Sequence, residues 1–227
     1  MSQVKIGLEI HAQITELESK LFCSCRGNYR DQRPNTNICE TCCGLPGTLP
    51  IINKKAIEYS AMTSVALGCS VPDKIIFYRK NYFYPDLPKN FQITQYNVYG
   101  FSSIGIGGSF ELDDSRKIRI SRIQLEEDPG RIAYLEGGTN VRNSALIDYN
   151  RAGVALIEIV TEPDFTNPKE VRLFLNKLSL TLEHLAVCDT LLEGSVRCDV
   201  NVSMNGGNKV EIKNINSFKE VERAINY

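Results

Sequence analysis

Polar and apolar residues alternate strictly over residues 4–14, at the beginning of the chain. The apolar positions occupy every second place, and the places between hold Lys5, Gly7, Glu9, His11 and Gln13. Residues two apart on an extended strand share a face, so this pattern predicts a β-strand with one buried and one polar face.

Further short apolar and β-branched runs predict strands along most of the chain. They span 74–80, 91–98, 108–112, 117–125, 145–149, 155–161, 195–204 and 209–215. Residues 113–116 fit a hairpin turn, and residues 137–140 a loop. The apolar positions change parity within 117–125, which predicts a β-bulge near Ser121 and Arg122 that re-aims the carboxylates after it.

Helical spacing and capping residues predict two substantial helices, over 53–68 and from Asn167 to about Ala186. A further helix start lies at Ser217. Hairpins are more frequent than strand–helix–strand alternation in this pattern. The predicted class is therefore α+β, a mainly antiparallel sheet whose polar face could line a cleft.

Composition limits the classes of protein to which this chain of 227 residues can belong. Of these, 42% are hydrophobic and 23% charged, which suits a domain with a real core. No apolar run approaches the roughly 20 residues that span a bilayer, and the N-terminus has no signal-peptide layout, so we expect a cytoplasmic protein without membrane contact. The net charge of −1 argues against nucleic-acid binding mainly by phosphate neutralisation.

Cysteines form the strongest generic motif. Two close pairs bracket a polar loop: Cys23 with Cys25, and Cys39 with Cys42. Clustered thiols in a reducing compartment are interpreted first as metal ligands, and four thiolates around zinc leave no open position. We expect a structural zinc that pins the loop at about 23–47, with Cys43 as a possible substitute for Cys42 and free thiols as the alternative.

Acidic residues and one histidine suggest a second metal site. Glu9 and His11 share the polar face of the first predicted strand, and a carboxylate and an imidazole together can bind a divalent cation. Glu126, Glu127 and Asp128 lie at a strand end, where such clusters often hold Mg²⁺. An ordinary polar strand and a solvated acidic turn are the alternatives.

Two further groups could contact phosphates or bases. Arg197 and Asp199 share the polar face of another predicted strand, where a salt-bridged surface is the alternative. Lys80 and Tyr82 belong to a basic and aromatic segment on which bases can stack while cations meet phosphates. A plain core strand explains that segment equally well.

Together these motifs resemble the B subunit of the tRNA-dependent aspartyl/glutamyl amidotransferases, in the family's order over almost the whole chain. The matching blocks are 4–11, 19–23, 34–37, 79–89, 125–130, 148–153, 156–164, 193–203 and 211–217. The E subunit of the related heterodimeric enzyme shares much of this pattern. A non-catalytic zinc module that binds RNA and a carboxylate–metal hydrolase are the alternatives from other classes.

The resemblance implies a cradle-shaped, kinase-like catalytic domain over residues 1–227. Such a domain uses ATP and Mg²⁺ to phosphorylate the side-chain carboxylate of mischarged Glu-tRNA or Asp-tRNA, and ammonia then converts it to the amide. The ammonia would come from the A subunit, an amidase, and a small C subunit would complete the assembly. Complete members continue into a helical domain and a tail that grips tRNA, so we expect this chain to be a truncated part of a longer protein.

The resemblance also assigns roles to individual residues. The family's magnesium site maps onto Glu9, His11 and Glu126, with Glu127 nearby. Arg197 and Asp199 become candidates for phosphate contact and for positioning metal or carboxylate. We expect the bound ATP to contact Lys80, Tyr82 and Arg197. The cysteines match members that carry structural zinc.

Overall fold

The computed structural model describes residues 4–96, 102–134, 145–215 and 217–227. Within them it has three helices and ten strands, which confirms the predicted α+β class. In chain order the elements are β1 (Val4–Gln13), α1 (Lys54–Ala66), β2 (Tyr78–Asn81), β3 (Phe91–Thr94), β4 (Gly105–Asp113), β5 (Arg116–Glu127), β6 (Arg131–Tyr134), β7 (Ala145–Asp148), β8 (Ala155–Thr161), α2 (Pro168–His184), β9 (Val196–Met204), β10 (Val210–Ile215) and α3 (Phe218–Asn226). The loop predicted at 137–140 lies outside the described residues.

One curled antiparallel sheet dominates the fold. Its strand order is β10-β9-β1-β8-β5-β3-β2, and β4 pairs separately with β5. Strands β6 and β7 form a two-stranded sheet of their own. The first strand of the chain therefore lies inside the sheet, between β8 and β9, and its polar face has neighbours on both sides.

The opposite face of β1 is part of the core. Ile6, Leu8 and Ile10 on this strand are buried. Asn167 caps helix α2, because its side chain accepts a hydrogen bond from the Glu170 N–H, and the helix contributes an apolar stripe that includes Phe174. The alternation predicted for residues 4–14 thus assigns one face to packing and leaves the other for polar chemistry.

The predicted bulge is present in β5. Its register against β8 shifts between Ile120 and Arg122. As a result the apolar residues before and after the bulge all join the core: Ile118, Ile120, Ile123 and Leu125. Leu125 points into the core, so Glu126, the next residue of the strand, points to the polar face of the sheet.

Two local predictions are confirmed, one at a hairpin turn and one at a helix start. The 113–116 turn joins β4 to β5, and Asp113 Oδ1 accepts a hydrogen bond from the Ser115 N–H at 2.9 Å. Asn53 caps α1 through its side chain, which accepts from the Ala56 N–H. Among the described helices, none is long and apolar enough to cross a membrane.

Candidate functional site

Strand register brings four of the predicted residues together on the polar face. Glu9 on β1 lies opposite Asp199 on β9, and His11 lies opposite Arg197. On its other side, His11 lies opposite Glu158 of β8. Directly opposed residues of antiparallel strands share a face and lie close together, so the sheet itself assembles this group.

His11 is central to the group. Its Nε2 atom lies 3.7 Å from Glu126 Oε1 and 3.7 Å from Glu158 Oε1, too far for a strong hydrogen bond. Burial lowers the pKa of His11, although the Glu158 carboxylate opposes this shift, so the imidazole is neutral at pH 7 and available as a ligand. Burial, followed by the charge of Glu158, raises the pKa of Glu126 to about 8.

This donor set fits a divalent cation. Carboxylate oxygens suit hard ions such as Mg²⁺, a neutral imidazole is a common additional ligand, and a cation would offset the close carboxylates. The donors of the cleft are spread more widely than the thiols described below. In the described part of the chain, only the four cysteines form a group whose ligand atoms all lie within 4.8 Å of one another.

A buried carboxylate, Asp128, holds Arg197 at the cleft. Arg197 Nη2 donates to Asp128 Oδ1 at 2.9 Å, and Gln13 Nε2 donates to Asp128 Oδ2 at 2.6 Å. Arg151 Nε lies 3.8 Å from the same carboxylate. Burial alone would raise the pKa of Asp128, but the two arginines and the Gln13 hydrogen bond hold it below its usual value, so Asp128 is an anion.

Glu9 and Asp199 also have polar neighbours. Asn201 Nδ2 donates to Glu9 Oε1 at 3.0 Å. Lys213 Nζ, from β10, lies 3.6 Å from Asp199 Oδ2. These contacts orient both carboxylates along the same wall of the cleft.

The cleft has a volume of about 1170 Å³, enough for a nucleotide-sized ligand. Lys80 and Tyr82 line it, together with Glu9, His11, Glu126, Arg197 and Asp199. The Lys80 ammonium lies 5.9 Å from the centroid of the Tyr82 ring. Every predicted residue of the polar site except Glu127 therefore reaches this cleft.

Glu127 lies elsewhere. Its Oε2 accepts a hydrogen bond from Lys89 Nζ at 2.7 Å and another from the Ile93 N–H at 2.9 Å. The carboxylate borders a separate cavity of about 160 Å³, next to Cys42. Glu126 and Glu127 are consecutive on β5, so they point to opposite faces, and the structure does not bring Glu127 to the group at His11.

The sequence did not reveal three roles at the cleft: Asp128 beneath it as the anchor of Arg197, Arg151 on its lining, and Glu158 beside His11. Asp128 was included only in the acidic motif. The sequence does contain an indication of Glu158, because it is the single charged residue within the apolar strand β8. A lone charge within a buried strand indicates a position that faces something other than the core.

The predicted cysteine cluster assembles. Cys23, Cys25, Cys39 and Cys42 have sulfur atoms within 4.8 Å of one another, so the cluster could hold a metal ion. Tetrahedral zinc, with bonds of about 2.3 Å, needs sulfurs about 3.8 Å apart, which small side-chain shifts would give. Cys43 is not in this group. The Cys39 N–H donates to Cys42 Sγ at 3.1 Å, and a hydrogen bond from Cys23 lowers the pKa of Cys42.

The other cysteines behave as predicted. Cys69, Cys188 and Cys198 are buried at 7%, 2% and 0% exposure, as ordinary small core residues are. Burial raises the pKa of each of these thiols. None of them belongs to the metal-type cluster.

The fold and these sites define a class of protein: an α+β domain with an open polar cleft on a curled antiparallel sheet and a separate four-cysteine site. The chain belongs to the GatB/GatE catalytic domain family, whose profile matches residues 4–227.

Several longer proteins from archaea are similar to this chain. The chain is similar to the aspartyl/glutamyl-tRNA(Asn/Gln) amidotransferase B subunit of Saccharolobus solfataricus, with 51% identity over 99% of this chain and 47% of that protein. The B subunits of Methanoregula boonei and Aeropyrum pernix are 51% and 49% identical, over 100% of this chain and 46% and 47% of their own lengths. The chain thus spans about half the length of the curated relatives it matches.

Proposed function

We propose that this chain is the carboxylate-activating domain of a cytoplasmic tRNA-dependent amidotransferase, as part of its B subunit. It would phosphorylate the side-chain carboxylate of Glu-tRNA(Gln), Asp-tRNA(Asn) or both with ATP. Ammonia would then displace phosphate and form the amide. The observation that carries this proposal is the convergence of Glu9, His11, Glu126 and Arg197 in one cleft.

The chemistry explains why such a cleft is needed. A carboxylate is a poor acyl donor until one of its oxygens has become a phosphate leaving group. Phosphoryl transfer depends mainly on positioning and on stabilising charge. When bound, Mg²⁺ supplies charge neutralisation on the transferred phosphoryl group. A cleft lined by carboxylates repels a triphosphate, so cations are needed to admit it.

Different residues of the chain would bind the cation, the phosphate and the nucleotide. Glu9, His11 and Glu126 would hold the cation, and Glu158 lies close enough to His11 to assist. Arg197, fixed by Asp128, would contact a phosphate with a guanidinium that keeps its charge at any working pH. Asp199 would position the metal or the substrate carboxylate, and Lys80 and Tyr82 would contact the nucleotide.

The wider assembly is part of the same proposal. The whole of 1–227 would act as one catalytic domain, ammonia would come from an amidase, the A subunit, and a small C subunit would complete the complex. The cysteine cluster would hold a structural zinc that pins the loop at about 23–47, because four thiolates leave no open position for substrate. Zinc would then have no part in the reaction itself.

The test is an amidation assay with the full-length protein assembled with its partner subunits. We expect ATP-dependent conversion of Glu-tRNA, Asp-tRNA or both, and a loss of at least about 100-fold in Glu126→Gln and in the double variant Glu9→Ala/His11→Ala. Glutamine hydrolysis should stay measurable in these variants, which reports an intact complex. Glu111→Gln, at an exposed carboxylate on β4, is the matched control and should keep full activity.

Two results would contradict the proposal. Normal amidation by Glu126→Gln would show that the cation site is assigned to the wrong residues. Absent amidation by the wild-type complex, with retained RNA binding that weakens steeply with salt, would favour a non-catalytic RNA-binding module.

A further inference from the structure

Lys20 is completely buried, with 0% of its surface exposed. Lysine is almost never buried to this degree unless its charge is paired. Its Nζ donates to the Asn37 carbonyl at 2.8 Å and lies 3.9 Å from Cys42 Sγ. In the described residues, no carboxylate lies within ion-pair distance of this ammonium, so the sulfur cluster is the anionic group it meets.

The local backbone aims this side chain. The Lys20 N–H donates to the Cys25 carbonyl at 2.8 Å, which ties the Lys20 backbone to the first cysteine pair. Asn37 is fixed in turn, because its side chain exchanges two hydrogen bonds with the backbone of Arg26. Gly153 has φ of +86°, and a Cβ there would lie 3.5 Å from Glu127 Oε1, 3.6 Å from Lys20 Cδ and 3.7 Å from Cys42 Cβ. The lysine stem therefore packs closely beside Gly153 and Cys42, and the nearby Glu127 carboxylate is already paired with Lys89.

Charge explains the arrangement. Four thiolates around a divalent ion carry a net charge of −2, and an uncompensated charge of this size is costly inside a protein. An N–H donor at Cys42 disperses part of it. A fixed ammonium next to the sulfurs offsets one full unit, and the centre in turn provides the counter-charge that the buried lysine otherwise lacks.

We propose that Lys20 is the built-in counter-charge of the metal–thiolate centre and sets its affinity for divalent ions. This inference rests on the proposed metal role of the cysteine cluster. It makes Lys20 a positioning and charge-balancing residue for the site, outside the four ligands.

The experiment measures metal affinity and redox potential in the purified protein. Zinc affinity is measured by competition with a chromophoric chelator in wild type, Lys20→Met and Lys20→Gln. The glutamine variant removes the charge and keeps a hydrogen-bond donor, one bond closer to the backbone, whereas the methionine variant keeps the length and apolar stem of lysine without a donor. We expect both variants to bind zinc about 10- to 100-fold more weakly, as for other outer partners of metal ligands. Lys55→Met, at an exposed lysine on α1, is the control and should match wild type.

A second measurement separates charge from packing. In the iron-substituted protein, the reduced tetrathiolate centre carries one more negative charge than the oxidised centre. Removing a nearby positive charge therefore disfavours reduction, and both neutral variants should show a lower reduction potential than wild type and Lys55→Met. A loss of packing alone predicts no such direction.

The outcomes are distinct. Unchanged affinity and potential in Lys20→Met and Lys20→Gln would overturn the role of Lys20 while leaving the zinc site in place. Failure of the wild type to bind zinc would overturn both, whereas carboxylate activation is decided separately by the amidation assay. If one variant does not fold, the other decides the matter by the same two measurements.

Discussion

Arg197 and Asp128 form an ion pair in which Nη2 lies 2.9 Å from Oδ1, and the Asp128 side chain has no exposed surface. The carboxylate is fixed by Gln13 and lies near a second arginine, Arg151. Because the anchor is buried and the guanidinium is partly exposed, the pair presents a positive charge to a cleft otherwise rich in acids. The position of Arg197 is therefore a property of the fold beneath the cleft.

Replacing Asp128 with asparagine should release Arg197 and leave two arginines without their shared counter-charge. Removing one partner of a buried ion pair is strongly destabilising, so we expect a loss of about 3 kcal/mol in the free energy of unfolding. Urea denaturation measures it, with Asp114→Asn, at an exposed turn residue, as the control. A loss no larger than that of the control would show that Asp128 does not anchor the arginine.

Much of this site follows from strand periodicity. The alternation around Glu9 and His11 assigned both to one face, because side chains on a strand repeat every second residue. The parity change within 117–125 located the bulge before Glu126 for the same reason. These are local properties of sequence, and the structure agrees with them.

Other features depend on pairing between distant segments. Nothing local specifies that Glu9 lies opposite Asp199, because the two strands are joined only through the tertiary fold. The same limit hid the role of Asp128, whose partners come from three other segments. Glu127 was grouped with Glu126 by proximity in sequence, although β5 extends through both residues and separates them.

Substitution of His11 should weaken metal binding in the cleft directly. The neutral imidazole is a ligand in the proposed site, so we expect His11→Ala to lower the affinity for Mn²⁺, a magnesium substitute, by about 10-fold or more. Titration in the presence of ATP, followed by the Mn²⁺ paramagnetic resonance signal, measures this affinity. His184→Ala, at the exposed end of α2, is the matched control. Equal affinities in both variants would exclude His11 as a ligand.

The cysteine cluster predicts a sharp difference between two adjacent thiols. Cys42 belongs to the group and Cys43 does not, so Cys42→Ser should lose zinc whereas Cys43→Ser should retain an equimolar amount. Loss of zinc should also lower the melting temperature, because the metal pins a loop with little core of its own. Metal analysis together with thermal unfolding tests both statements. Zinc retained in Cys42→Ser and lost in Cys43→Ser would reverse the assignment.

Acid sensitivity should arise in part at Asp164, which does not line the cleft. Both of its oxygens accept hydrogen bonds from Arg119: Oδ1 from Nη2 at 2.7 Å, and Oδ2 from Nε at 2.9 Å and from the backbone N–H at 3.0 Å. These bonds hold the pKa of Asp164 below its usual value of about 3.9. A carboxyl with a lowered folded-state pKa contributes stability above its unfolded pKa and loses it as the pH falls through the folded value.

The pH dependence of Asp164→Asn follows from this sign. The Arg119 side chain is 66% exposed, so solvent screens the pair and the effect is small. We expect the variant to melt about 2–4 °C below wild type at pH 7, with the difference shrinking as the pH falls below about 4. Melting curves across this range measure it, and Asp73→Asn controls for the loss of an exposed negative charge. A difference that stayed constant or grew on acidification would contradict the assigned role of Asp164, because the side chain loses its ion pair with Arg119 once it is protonated.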